Sequence, residues 1–319
     1  MKNPNFLLFR CIALVAFLLP FGASADHHQK SILVTGASTG IGRHLTETLV
    51  QSGHHVYAGA RKEKDLAALN ALENVTAVRL DVTKQDQVDA VVALIKKSGS
   101  GLYGLVNNAG VGAGDEIVGT PLSEQTFVYN VNVEGVYRTT QAFAPLVIES
   151  KGRIVTTGSI AGTLSWAGGS AYSGSKHWIE ALTDALAAEM QPLGVSVSVV
   201  EPGNYKSNIR RTGAARDLKV QEAVGNAVTE EMREALEETA KFEVSLKEPE
   251  EVSEAFMHAL FDDAPLRRYV VVPNADEQSR TIRTKVRELV QLNTWGPYSY
   301  SREELVKILD ETLAAQDAP

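Results

Sequence analysis

The chain has 319 residues, 44% hydrophobic and 22% charged, enough to bury the core of one large domain or two small ones. A formal net charge of -8, with no dense Lys/Arg cluster, argues against binding a phosphate backbone, and no nucleic-acid partner is expected. The close His pairs, His27–His28 and His54–His55, are adjacent and point to different faces, so no metal is expected; the sole cysteine, Cys11, leaves the chain beyond it without disulfide or thiolate chemistry.

Lys2 and Arg10 precede an apolar run from Cys11 to Leu19, followed by Pro20, Gly22 and the small-residue stretch Ala23-Ser24-Ala25. That order reads as a signal peptide over residues 1–25, cleaved after Ala25, which would export the protein. The alternative is an uncleaved membrane anchor lengthened by Phe6–Phe9, although the run is short for a span.

From Ser31 onward, β-rich runs alternate with helical ones. Ile32–Thr35 reads as a buried strand, Ile41–Gln51 as a helix, and His55–Ala60 and Thr76–Leu80 as strands. Val88, Val91, Val92 and Ile95 give Gln85–Lys97 helical spacing. Leu102–Asn107 is a strand, Ser123–Val147 mostly helix, Arg153–Thr157 a strand, Tyr172–Met190 a helix, Val195–Val200 a strand and Tyr269–Val272 a late strand. Strands separated by crossover helices require a parallel sheet covered on both faces, so the expected fold is a single α/β domain, a doubly wound Rossmann sheet, over residues 26–274. Residues 204–247 depart from the pattern. They are charged and helical and read as a mobile insertion. Residues 275–319 read as a polar C-terminal extension with one amphipathic helix near Glu303–Leu313.

The run Thr35-Gly36-Ala37-Ser38-Thr39-Gly40-Ile41-Gly42 joins the first strand to the first helix. Glycines there allow a tight turn and close approach to a pyrophosphate, and the helix start offers free N–H groups to the anion. A glycine pattern alone is also compatible with a packing turn; its place between strand and helix favours a dinucleotide. Where an acid would bind the ribose hydroxyls of NAD, the second strand ends in Ala60 and then Arg61. Arg61 can pair with a 2′-phosphate, so NADP(H) is preferred, with NAD(H) the alternative. Thr39 is not basic and supplies no second cation. Asp81 can accept from the adenine amino group while Val82 packs on the ring. Asn107-Asn108-Ala109-Gly110 ends the fourth strand, where ligands gather in such sheets, although a capping turn explains it equally well.

Tyr172 and Lys176 lie one helical turn apart on one face. A phenol titrates near pH 10, and a nearby ammonium lowers that value toward a working range for acid/base chemistry. Such a pair alone is usually structural. Ser159 lies just past the Arg153–Thr157 strand and could orient a substrate oxygen. Asn132 is a poor helix former in a helical segment, suited to binding a backbone carbonyl and holding a water against the lysine.

Taken together, Thr35–Gly42, Asn107–Gly110, Asn132, Ser159, Tyr172, Lys176 and Pro202-Gly203 give the chain a resemblance to the short-chain dehydrogenase/reductase family over about residues 31–209. The Val195–Tyr205 stretch is similar to the branch of retinol, 17β-hydroxysteroid and 3-hydroxybutyrate dehydrogenases. The resemblance implies a catalytic tetrad of Asn132, Ser159, Tyr172 and Lys176. It also implies that Lys176 binds the nicotinamide ribose, that Pro202 and Gly203 flank the nicotinamide, and that Ser207 bonds the carboxamide where the family often has Thr. The insertion after Asn204 falls where the family places its substrate lid. The stripe of Trp178, Leu182 and Leu186 on the Tyr172 helix reads as core packing, and the resemblance implies that this helix also builds a homodimer or homotetramer interface.

The expected function is hydride transfer between NADP(H) and a secondary alcohol, ketone or aldehyde of small to medium, partly apolar character. The alternatives are an NAD-dependent hydroxyacyl or hydroxybutyrate-type dehydrogenase, an epimerase or lyase on the same fold, and a cofactor-sensing interaction protein. Retention of all four tetrad residues weighs against the last. An exported or anchored location sits awkwardly with a cofactor that is scarce outside the cytoplasm.

Overall fold

The computed structural model describes residues 29–112, 116–118, 120–223 and 225–316. The expected signal or anchor over residues 1–25 lies outside them. No helix among the described residues is long and apolar enough to cross a membrane.

Seven strands form one parallel sheet in the order β3-β2-β1-β4-β5-β6-β7. They are β1 (Ser31–Val34), β2 (His55–Ala60), β3 (Val75–Arg79), β4 (Gly104–Asn107), β5 (Arg153–Thr157), β6 (Ser196–Pro202) and β7 (Arg268–Val271). The crossovers are α1 (Gly40–Gln51), α2 (Glu63–Asn70), α3 (Gln85–Ser98), α4 (Leu122–Tyr129), α5 (Gly135–Glu149) and α6 (Ser170–Met190). Then come α7 (Ile209–Ala223), α8 (Glu230–Ser245), α9 (Glu250–Phe261), α10 (Ala275–Leu292) and α11 (Arg302–Gln316). The expected doubly wound sheet is therefore present.

The strands read as apolar runs because both faces are covered. Ile32 and Val34 of β1 face one core with Leu45 and Leu49 of α1 and Phe256 and Leu260 of α9. Leu33 faces the other, with Val88 and Ile95 of α3 and Phe143 of α5. The strand order reverses between β1 and β4, which opens a crevice at their carboxyl ends. Thr35 and Asn108 lie at that crevice.

Three elements differ from expectation. The segment read as one helix over Ser123–Val147 is broken by a π-helical stretch, Asn130–Glu134, between α4 and α5. Such single-turn bulges accumulate at functional sites, and this one carries Asn132. The polar tail holds two helices rather than one. The buried positions of α10 are polar, Glu277 and Thr281, so no apolar stripe marks its contact with the domain. The insertion after Asn204 is helical as expected, with α7 and α8 packed together. It is tied to the domain, because Arg216 forms a two-pronged ion pair with the buried Glu124 at 2.7 and 3.0 Å and stacks on Phe127.

Candidate active site

The glycine-rich loop is built around Thr35. Its hydroxyl accepts from the N–H groups of Asn108 and Ala109, at 2.9 and 3.0 Å, and donates to the Val106 carbonyl. The Asn108 amide donates back to the carbonyls of Thr35 and Gly36, and its oxygen accepts from Thr157. Asn108 is thus a strut that holds the loop against β4 and β5, and Ala109 packs under Gly36. A Cβ on Gly36, whose φ is +66°, would meet Ala109 Cα at 2.8 Å; one on Gly42 would meet Asn108 Nδ2 at 2.4 Å. Gly110 borders Asn132.

This loop fits a pyrophosphate. Thr39 caps α1 without a side-chain hydrogen bond, and the first turn holds no acid, so the N–H groups of Gly40, Ile41 and Gly42 keep no protein acceptor from that cap. Ser38 is half-buried and Thr39 exposed beside it. Gly40, at φ +56°, lets Ser207 approach: a Cβ there would lie 3.1 Å from Ser207 Cβ. Ser207 also accepts from Ile209 N at the start of α7, so α7 and the loop meet here.

Arg61 is exposed at the end of β2. The register pairs Ala60 with Arg79, whose guanidinium donates to the Arg61 carbonyl at 2.7 Å and pairs with Glu63. A second cation therefore stands beside Arg61, from β3 rather than from Thr39. Asp81 uses one oxygen to accept from Thr83 N and Oγ1, at 3.0 and 2.8 Å. Val82 is buried, with a methyl against Gly135, where any Cβ would lie 2.6 Å from it.

At the other end of the crevice, Ser159 follows β5. Its hydroxyl accepts from Ala161 N at 3.1 Å and donates to the Pro202 carbonyl at 3.5 Å, and it acts on the Tyr172 phenol, favouring the phenolate. Lys176 is buried, and its Nζ donates to the Thr157 carbonyl at 2.8 Å, 5.7 Å from the centre of the Tyr172 ring. Two of its three N–H bonds remain for ligand oxygens such as ribose hydroxyls. Asn132 donates to the Val111 carbonyl and to Ser175 Oγ, and accepts from Val111 N. Ser175 in turn donates to the Tyr172 carbonyl. Asn132, Tyr172 and Lys176 are thus joined through Ser175 and the Tyr172–Lys176 turn, with Ser159 beside the Tyr172 phenol. The expected water-holding amide of Asn132 is occupied by protein.

Burial pushes the Tyr172 phenol up from its usual range, opposed by the Ser159 hydrogen bond and the positive charge of Arg210 on the lid. The expected lowering by Lys176 is not what dominates. Lys176 itself is brought down to about 8, because burial disfavours the ammonium more than nearby Glu180 supports it.

Several site residues carry no local sequence signal. Glu277 of α10 accepts from the backbone and side-chain N–H groups of Asn204, and a Cβ on Gly203 would come within 2.2 Å of its Oε2. Gly203 N donates to Val271 O at 2.7 Å. Arg210 bonds Asn204 and lies over Phe242.

The family model for short chain dehydrogenases matches residues 30–218. The chain is 33% identical over 274 residues to the mitochondrial D-beta-hydroxybutyrate dehydrogenase of Bos taurus, covering 78% of this chain and 79% of that one. Among solved structures, a short chain dehydrogenase/reductase from Burkholderia phymatum in complex with NAD superposes with a TM-score of 0.70 and 26% identity, over 85% of this chain and 98% of that one. A serine dehydrogenase complexed with NADP+ superposes with a TM-score of 0.63 and 25% identity, over 76% and 94%. This chain belongs to the short-chain dehydrogenase family and is an NAD(P)-dependent oxidoreductase acting on CH–OH groups.

Proposed function

We propose that this chain interconverts a secondary alcohol and its ketone, or an aldehyde, on a small to medium, partly apolar substrate, with NADP(H) as the preferred cofactor. The observation that carries the reading is the buried Lys176 ammonium, bonded to the Thr157 carbonyl and 5.7 Å from the centre of the Tyr172 ring, with Ser159 acting on the same phenol. The nicotinamide, when bound, supplies or accepts the hydride. Ser159 holds the substrate oxygen. Tyr172 gives that oxygen its proton during reduction and takes it back during oxidation. Lys176 grips ribose hydroxyls with its two remaining N–H bonds, and its charge favours the phenolate. The Asn132 amide is taken by Val111 and Ser175, so its side chain braces the site rather than holding a water against Lys176.

The NADP(H) preference is supported by Ala60, which offers no carboxylate, and by Arg61 with Arg79 beside it. The test is the ratio of kcat/KM for NADPH and NADH across a panel of carbonyl compounds. A preference of about tenfold or more for NADPH, about 1.4 kcal/mol, that collapses in Arg61→Ala is expected. A preference for NADH would overturn it.

A second reading, oxidation of a hydroxy acid, is favoured by the Arg210 charge that reaches Tyr172 from the lid and by the bovine relative's name. Activity on 3-hydroxybutyrate that is lost in Arg210→Ala would support it. We also propose export by cleavage after Ala25, which a mature N-terminus at Asp26 would support, and a homodimer or homotetramer. On α6, Leu186 is core and Leu182 packs against the same core, which leaves the half-buried Trp178 for a partner.

A further inference from the structure

Beneath the Tyr172–Lys176 pair lies a cluster of charges that the proposed chemistry does not use. Glu180 stands one turn beyond Lys176 on α6. Its Oε2 accepts from Arg268 Nε at 3.0 Å, while its Oε1 is buried without a hydrogen-bond partner among the described residues. β6 brings Glu201, only 3% exposed, to the same place. A Cβ on Gly158 would lie 3.2 Å from Glu201 Cγ and 3.4 Å from Glu180 Oε1; one on Gly162 would lie 3.0 Å from Glu180 Oε1 and 3.2 Å from the Lys176 carbonyl. Gly158 and Gly162 bracket the Ser159 turn. Their missing side chains make the room in which the two carboxyls sit, against the turn that carries Ser159.

Two carboxyls sharing a poorly solvated space resist ionising together. The charges facing Glu180 are Lys176 and Asp184 from α6, Glu201 from β6, Arg268 from β7 and Lys285 from α10; Arg267, just before β7, pairs with Asp184. Burial, and then the charge of Glu180, push Glu201 up to about 7. Glu180 is raised by burial but pulled back by its bond to Arg268. The bond from Arg268 favours the charged form of Glu180, a support that Glu201 does not share as a hydrogen bond. Lys176 feels that charge as its main support against burial.

Resting on the proposed role of Lys176, we propose that Glu180 and Glu201 are a coupled carboxyl pair that keeps Lys176 protonated, making Glu180 a positioning residue for proton transfer at Tyr172. As Glu201 ionises with rising pH, it adds negative charge beside Glu180. The pair thus extends the range over which the ammonium survives.

The direct test labels the lysines with 13C at Cε and follows the Lys176 resonance against pH, assigned by its loss in Lys176→Met. Glu180→Gln is expected to lower the Lys176 midpoint by about one pH unit and Glu201→Gln by less. Glu180→Asp should restore part of the shift. Asp184→Asn, which removes an exposed carboxylate bonded to the same Arg268, is the control and should move it little. The basic limb of the kcat/KM profile should move in the same direction, with the low-pH plateau kept within about twofold. A midpoint unmoved in Glu180→Gln, or moved no more than in Asp184→Asn, would overturn the proposal. The resonance does not depend on turnover, so a wild-type chain inactive on carbonyl compounds would sink the functional reading and leave this measurement standing.

Discussion

The Glu277 carboxylate accepts from both the backbone N–H and the side-chain amide of Asn204, each at 2.9 Å. The same carboxylate lies so close to Gly203 that no side chain fits there. A residue of the C-terminal extension therefore sets the loop after Pro202, at the end of the crevice proposed to take the nicotinamide. Asn204 passes the restraint on to Arg210, which begins the lid.

Glu277→Ala removes both acceptors from a nearly buried position and leaves the Asn204 donors unmet. A loss of about 2–3 kcal/mol in urea unfolding is expected, together with weaker cofactor binding by fluorescence titration. Glu277→Gln keeps one acceptor and should fall between the two. Unchanged cofactor affinity in the alanine variant would show that α10 does not shape the loop.

Gly42 has no space for a methyl group, since Asn108 Nδ2 and the Gly36 carbonyl would lie 2.4 and 2.5 Å away. Gly42→Ala must push Asn108 off the loop it braces. Overpacking of this kind costs about 1–3 kcal/mol. Calorimetric titration with NADPH should show affinity reduced by more than about tenfold, beyond what the stability loss explains, because the distortion falls on the loop that would meet the pyrophosphate.

Lys176 links function to a stability cost with a definite pH dependence. Its folded-state value is about 8 against an unfolded 10.5. Between those values the unfolded chain binds the extra proton, so stability from this group rises with pH across that window. Below about pH 8 the buried ammonium carries its full penalty, about 3 kcal/mol, against about 1 kcal/mol returned by the bond to Thr157. Lys176→Met should therefore be inactive yet more stable than wild type at pH 7, by about 2 kcal/mol, an advantage that is lost as pH rises toward 10.5, where the Thr157 bond leaves wild type slightly ahead. Thermal melts of both proteins at pH 7 and 10.5 check this. A variant less stable at pH 7 would show that the Thr157 bond outweighs burial.

Much of the site was legible because it is local. Thr35–Gly42, Asn107–Gly110 and the Tyr172–Lys176 turn are short patterns whose spacing carries their geometry, and Ser159 follows directly on a recognisable strand. What stayed hidden comes from pairings between distant segments. Arg79 reaches Arg61 only through the register of β2 with β3. Glu277 meets Asn204 across 73 residues, from a helix whose buried face is polar. The direction of the Tyr172 shift depends on burial, which spacing alone does not reveal. The break at Asn130–Glu134 adds a single residue to a turn, too small a change for hydrophobic periodicity to register. No helix was expected over α9, although Val252, Phe256, Ala259 and Leu260 make an ordinary apolar stripe there.

The most direct measurement is single-turnover reduction of a carbonyl substrate by Tyr172→Phe, beside a titration of cofactor affinity in the same variant. Loss of the proton donor should lower the rate by about 10²–10⁴-fold while the dissociation constant for NADPH stays within about threefold of wild type. A rate within tenfold of wild type, at unchanged affinity, would contradict Tyr172 as the acid/base of this enzyme.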